Sequence, residues 1–248
     1  METTRQERTP QLLLGMVALA IALVLAAFIG ASAFKAAKRA GDQIEVTGSA
    51  KRPIRSDFAV WRGSVATQSP VLADAYAEVT RQAQVVRQFL ARSGVADSLL
   101  TVKPVETQSI YRVTENGMQT SELLGYRLAQ QFEVRSSDVA GVTALSQRAT
   151  ALINQGVPLQ SSAPEYLYTR LNEVRTEMLA AATEDAMRRA EAVARSAGAE
   201  IGAVRSARQG VFQITARNST EVSDYGINDT SSLEKDITAV VRVTFAVD

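Results

Sequence analysis

Glu165, Tyr166, Tyr168 and Glu173 are the residues whose types and spacing come nearest to a reaction. Two carboxyls held about 5–9.5 Å apart hydrolyse glycosidic bonds, one as acid and one as base or nucleophile. Tyrosine rings beside such a pair offer stacking surfaces to a sugar. The competing reading has these tyrosines packing along a strand edge. It is favoured, because a catalytic pair needs a shaped cleft for which no pattern here argues. Trp61, the one tryptophan, reads as a core or interface aromatic rather than a stacking platform. The chain contains no His and no Cys. Those omissions remove zinc sites of the Cys/His kinds, haem held by His, and Ser-His or Cys-His catalysis. They also remove disulfides and attachment through a lipidated cysteine. No catalytic, metal or cofactor-binding residue is assigned, no cofactor is expected, and a non-enzyme is the expectation.

Charge narrows the partners. Lys and Arg number 27 against 26 Asp and Glu in 248 residues. No basic block interleaved with aromatics breaks this balance, so nucleic acid is not expected as a partner.

The segment from Thr9 to Phe34 carries no charge, and Arg5, Arg8, Lys35, Lys38 and Arg39 flank it. As a helix, Leu12 to Phe34 spans about 34 Å at ~1.5 Å per residue, enough for a bilayer core of ~30 Å. A cleavable signal with a cut after Ala33 in Ala31-Ser32-Ala33 is one reading; an uncleaved anchor is the other, favoured by the length of the run. The expected division is a tail over 1–10, a transmembrane signal-anchor over 11–34, a linker over 35–42 and a globular part over 43–248. That last part is long enough for one sizeable domain or two small lobes. The positive-inside rule alone mildly favours a cytoplasmic C-terminal domain.

Beyond the linker, period-two and helical patterns alternate. Gln43–Lys51 reads as a strand with Gly48 as a possible bulge. Asp57–Gln68 is a longer strand with Ala59, Trp61, Gly63 and Val65 on one face. Ser69-Pro70 marks a helix start. Its stripe is Leu72, Tyr76, Val79, Ala83, Val86 and Leu90, and Gly94 is its cap. Strands over Thr101–Val113 and Gly125–Val134 join around Glu115-Asn116-Gly117. A second helix spans Asp138–Gln155, capped by Ser137 and stopped by Gly156, with Val142, Leu145, Ala149 and Leu152 buried. After a short strand at Tyr166–Tyr168 comes a helix over Leu171–Ala197. Met178, Ala182, Ala186, Ala190, Val193 and Ala197 line one side of it, small enough for close packing. Glu184–Arg188 and Asp185–Arg189 read as solvated helical pairs. Val204–Thr215 is a strand, Arg217–Lys235 a polar mobile loop, and Ile237–Val247 the last strand. The sum is an α+β fold of mainly antiparallel sheets packed against three helices, preceded by one N-terminal transmembrane helix.

The order and spacing of these segments resemble the SIMPL-domain family. The residues are Ile44–Ala50 (IEVTGSA), Ser93–Val95, Gly125-Tyr126, the run Glu177–Val204 and the closing ITAVVRVTFAVD. The alanine helix ending Ala-Gly-Ala-Glu-Ile-Gly is the most specific part. This chain departs from the family at Ser232–Asp236, where members often carry Pro-Gly, and at Tyr111–Gly125, which lacks the usual prolines. The family includes exported bacterial envelope proteins of the periplasmic immunogenic and oxidative-stress-defence type. The resemblance therefore implies a C-terminal domain in the periplasm, anchored by a single pass in a bacterial inner membrane. It further implies a homo-oligomer, an envelope protein partner, and a role in envelope integrity or oxidative-stress defence. It supplies no catalytic residues. Two alternatives stand beside this reading: a carboxylate-based hydrolase of envelope glycans using Glu165 and Glu173, and a partner-binding scaffold using the 217–235 loop.

Overall fold

The computed structural model describes residues 8–39 and 42–247, with side chains for 14–31 and 42–247. The helices are α1 (Arg8–Arg39), α2 (Leu72–Arg92), α3 (Val139–Ala149) and α4 (Leu171–Ser196). The first strands are β1 (Gln43–Arg55), β2 (Phe58–Ser69), β3 (Leu100–Val102), β4 (Glu106–Val113), β5 (Gln119–Ser136), β6 (Gln160–Ser161) and β7 (Glu165–Leu167). The last are β8 (Ile201–Gln209), β9 (Gln213–Ala216), β10 (Ile227–Asn228) and β11 (Glu234–Val247). Two compact units form. One takes the described residues of 1–50, 178–210 and 239–248; the other takes 51–177 and 211–238.

In the second unit, β2 and β5 are the antiparallel spine, in register from Ala59 opposite Ser136 to Ser69 opposite Tyr126. β3 and β4 pair with β5, and β6 and β7 pair with β2, all antiparallel. Of the two faces of β2, the one carrying Trp61 is buried from Ala59 to Val65, and Val60 on the other is buried as well. Ala59, Trp61 and Val65 pack with Leu128 and Phe132 of β5 under α2 and α3. Each large apolar side chain so buried contributes ~1.5–3 kcal/mol.

Both helices begin differently from expectation. The Ser69 hydroxyl accepts from the Val71 N–H at 3.1 Å. Because Ser69 is still paired with Tyr126 in the sheet, α2 starts only at Leu72. Its buried stripe runs Ala75, Val79, Ala83, Val86, Leu90, with Leu72 and Tyr76 exposed. In α3 the cap is Asp138, whose carboxylate accepts from the Gly141 N–H at 2.9 Å, rather than Ser137. The helix gives way to a 3-10 turn over Thr150–Gln155. Gly94 and Gly156, at φ +84° and +75°, close these segments in the left-handed region that glycine enters freely. The expected strand over 101–113 breaks at Lys103–Val105 into β3 and β4. The expected strand over 125–134 extends back to Gln119, because β4 folds onto it around Gly117.

In the first unit, the C-terminal part of β11 pairs antiparallel with β8, from Val241 opposite Gln209 to Val247 opposite Ile201. β1 is the other neighbour of β11. Of the alternating face Ala239, Val241, Val243, Phe245 and Val247, the first four are buried; Thr244 and Ala246 are buried too, so the alternation is lost after Val243. The single expected strand over 204–215 is two, separated at Gly210–Phe212, and β8 is an edge strand with Val204 56 % exposed. Along α4 the buried positions are Val174, Met178, Ala182, Ala186, Ala190 and Ala194, a strict four-residue step. The stripe predicted from spacing includes Val193 and Ala197, but both are exposed. A row of every fourth residue is the ridge that helices use for packing, and it slants off the mixed three-and-four stripe. Gly48 is where β1 meets this ridge. A Cβ there would stand 2.1 Å from the Ala182 carbonyl oxygen and 2.4 Å from the Ala186 nitrogen. Gly48 is thus a point of close approach, where the sequence suggested a bulge.

α1 carries an 18-residue uncharged window, Leu14–Ala31, whose apolar side chains are all exposed. By length and composition it could cross a membrane. Helix continues to Arg39, through most of the expected linker. The tail before Arg8 and linker residues 40–41 lie outside the described residues.

Candidate functional site

Glu165 opens β7 and lies opposite Val60 of β2. That register brings it to Arg62, whose Nη1 donates to Glu165 Oε1 at 2.5 Å while its Nε donates to Glu133 Oε2 at 2.7 Å. Arg62 thus bridges two carboxylates across three strands. The bond from Arg62 holds Glu133 below the usual carboxylate range, against a smaller opposing effect of burial. Glu173, in the first turn of α4, is tied instead to Arg170, with Nη2 and Oε2 2.7 Å apart. Each of the two acids in the hydrolase reading is therefore ion-paired, Glu165 to an arginine it shares with Glu133 and Glu173 to Arg170.

The tyrosines divide. Tyr166 packs against the buried core, and its hydroxyl shares a 3.0 Å hydrogen bond with the Thr143 hydroxyl on α3. Tyr168 is half-buried just beyond β7. Trp61 is fully buried, and its indole N–H donates to the Ser161 hydroxyl at 2.9 Å. It is a core residue with its polar atom satisfied, as its strand position predicted.

Lys235 is the residue that sequence reasoning misplaced. At the end of the predicted polar loop, it is instead the second residue of β11 and only 1 % exposed. Its ammonium donates to the Tyr166 carbonyl at 2.6 Å and to the Asp229 carbonyl. Burial pushes the Lys235 ammonium below its ordinary range, and Asp229 opposes that. Asp229 is raised by burial, but bonds from Ser231 and Ser232 and the Lys235 charge outweigh this and leave it lowered. The 217–235 segment is correspondingly well tied. Asp229 N–H donates to Ile214 O at 2.9 Å, Asn218 N–H to Asp236 Oδ2 at 3.0 Å, and Gln213 Nε2 to Ser223 O at 2.6 Å. No periodic signal marks Lys235, because a polar run precedes it and only the tertiary fold encloses it.

Asp185 also does more than pair along its helix. Besides Arg189 at 2.8 Å, its carboxylate accepts the Ser49 backbone N–H at 2.9 Å. That backbone bond is the main reason its carboxyl sits below the ordinary aspartate range. It tethers β1 to α4 one residue beyond Gly48. The Glu184–Arg188 pair, at 3.0 Å, is an exposed helical pair as expected.

These arrangements define an α+β protein of mainly antiparallel sheets and helices with an apolar helix at its N-terminus. Residues 44–245 match the family described as SIMPL, Protein of unknown function (DUF541), and the chain belongs to that family. No curated protein matches it. Among solved structures it is similar to the de novo designed protein Foldit4, at 13% identity over 42% of this chain and 93% of that one, with a TM-score of 0.24. It is also similar to a hydantoinase/carbamoylase family amidase from Burkholderia phymatum, at 10% identity over 54% of this chain and 33% of that one (TM-score 0.27). A further amidase, from Burkholderia ambifaria, matches at 15% identity over 52% and 34% (TM-score 0.26). The chain spans about a third of the length of either amidase. Likenesses this distant carry no functional argument.

Proposed function

We propose that this is a membrane-anchored SIMPL-domain protein that acts without catalysis, through self-association or partner binding, in envelope integrity or oxidative-stress defence. The observation that carries the reading is the uncharged Leu14–Ala31 window joined to a SIMPL domain over 44–245. α1 stays in the inner membrane as a single pass, and the domain faces the periplasm. Absence of His and Cys from the sequence, and the ion pairing of Glu165 and Glu173, support a binding role over the hydrolase alternative.

Two measurements test it. A reporter that is active only in the cytoplasm, fused after Asp248, stays silent if the domain is exported; activity refutes the orientation. Light scattering on the detergent-extracted full-length chain is expected to give a mass of several protomers. A strict monomer at high concentration removes self-association.

A further inference from the structure

We propose that the groove between α2 and β3 binds a short extended peptide, which adds as a strand to the open edge of β3 and delivers its C-terminal carboxylate to Arg87. The groove encloses about 580 Å³, within the ~300–1,000 Å³ of ordinary ligand sites. Gln84, Arg87 and Gln88 of α2 form one wall, Leu100 and Val102 of β3 the other, and Asp97 stands at the turn that joins them.

The main chain of β3 is what selects a peptide. β3 pairs with β5 alone, at Leu100 opposite Val134, Thr101 opposite Glu133 and Val102 opposite Phe132. The ladder continues with Lys103 N–H donating to Gln131 O at 2.9 Å. In an antiparallel pair, alternate residues bond toward the partner strand and away from it. Lys103 and Thr101 therefore bond toward β5, and Leu100 and Val102 turn their polar groups outward. The Leu100 N–H is taken by the Asp97 carbonyl of the preceding 3-10 turn. That leaves the Val102 N–H, the Val102 C=O and the Leu100 C=O facing out, the set that an added strand satisfies.

Charge complementarity selects the carboxylate. The neighbouring α2 arginines are occupied: Arg81 donates to Glu78, and Arg92 Nε donates to the Gln88 carbonyl at 3.2 Å. Arg87 has no ion pair or side-chain hydrogen bond among the described residues. Its planar fork suits a terminal carboxylate in the bidentate manner. Asp97 is likewise unpaired among the described residues. Arg87 lies four residues before Ala91 on α2, about 6 Å along the helix axis. The turn end of the groove is thus acidic and the far end basic. A bound peptide places its carboxylate away from Asp97 and runs in the same direction as β3. Gln84 and Gln88, one helical turn apart, flank Arg87 with amides that hydrogen-bond further peptide groups.

The test uses the full chain in detergent and two random tetrapeptide pools, one with free C-terminal carboxylates and one amidated, read by affinity-selection mass spectrometry. The free-acid pool is expected to be retained about tenfold better than the amide pool, the worth of one charged hydrogen bond. Arg87→Ala is expected to abolish that difference, and Arg87→Lys to restore part of it. Arg87 is exposed, so neither change threatens the fold. Val102→Pro removes the outward N–H at an edge position where proline is tolerated. It is expected to lower retention of both pools with little change in melting temperature. Equal retention of acid and amide, no retention of either, or full displacement by inorganic phosphate at equal concentration overturns the proposal. The last outcome would mark a simple anion site.

Discussion

Glu78 shows how one half-buried carboxylate serves a buried neighbour. Its oxygens accept from Arg81 Nε at 2.9 Å, Arg81 Nη2 at 2.6 Å and Gln82 Nε2 at 2.7 Å. Gln82 is only 4 % exposed, so its amide donor would otherwise lack an acceptor. Bonds from Arg81 first, and then from Gln82, lower the Glu78 carboxyl to about 2, against ~4.3 in an unfolded chain. The sign follows from linkage. A depressed carboxyl stabilises the fold fully above its unfolded value, and the contribution is lost as pH falls toward the folded value. Because Glu78 is partly solvent-screened, the contribution is about 1 kcal/mol or less. Glu78→Gln is therefore expected to lower the urea midpoint near neutral pH. The gap from the parent should narrow between pH ~4.3 and ~2. A gap that stays constant through acid would mean that charge at Glu78 is irrelevant.

Among the elements, those with a strong period and a buried face were legible from residue order, and those decided by neighbours were not. The buried face of β2, the last strand and the α3 stripe follow from alternation or helical spacing within one segment. The start of α2 does not, because Ser69 is captured by pairing with Tyr126, a residue distant in sequence. The split at Gly210 is likewise settled by a distant group, since the Gly210 N–H turns to Val240 O at 2.8 Å. At the candidate site, residue types nominated Glu165 and Glu173 but could not reveal that Arg62 and Arg170 hold them. Lys235 and the α2–β3 groove left no periodic trace at all. The contact between β1 and α4 was half visible: the alanines promised a close approach, and Gly48 is what meets them. Gly48→Ala puts a Cβ within 2.1 Å of backbone at Ala182, so strand or helix must shift. Overpacking of this kind costs ~1–3 kcal/mol, and the chemical-denaturation midpoint should drop accordingly. An unchanged midpoint would show that the approach is looser than described.

At the scale of the whole molecule, the balance is between a folded domain that buries its apolar residues and one helix that exposes them. From Leu14 to Ala31 the side chains of α1 are open on every face, including Leu19, Leu23, Leu25 and Phe28. In water such a surface costs roughly 25 cal/mol per Å² of apolar area. In hydrocarbon the cost vanishes, and the internal hydrogen bonds of the helix leave no backbone group unsatisfied. Lipid is therefore the solvent that fits α1, whose Leu14–Ala31 window holds none of the chain's charged residues. Leu23 sits near the middle of the window, where an arginine raises the cost of insertion by ~2.5–3.5 kcal/mol. Leu23→Arg is expected to move the full chain from the alkaline-carbonate pellet toward the supernatant, or to cut its accumulation in membranes. Leu23→Ala, which changes size without adding charge, should stay in the pellet. Equal retention of the arginine and parent chains in the pellet would mean that α1 is held there by something other than lipid around Leu23.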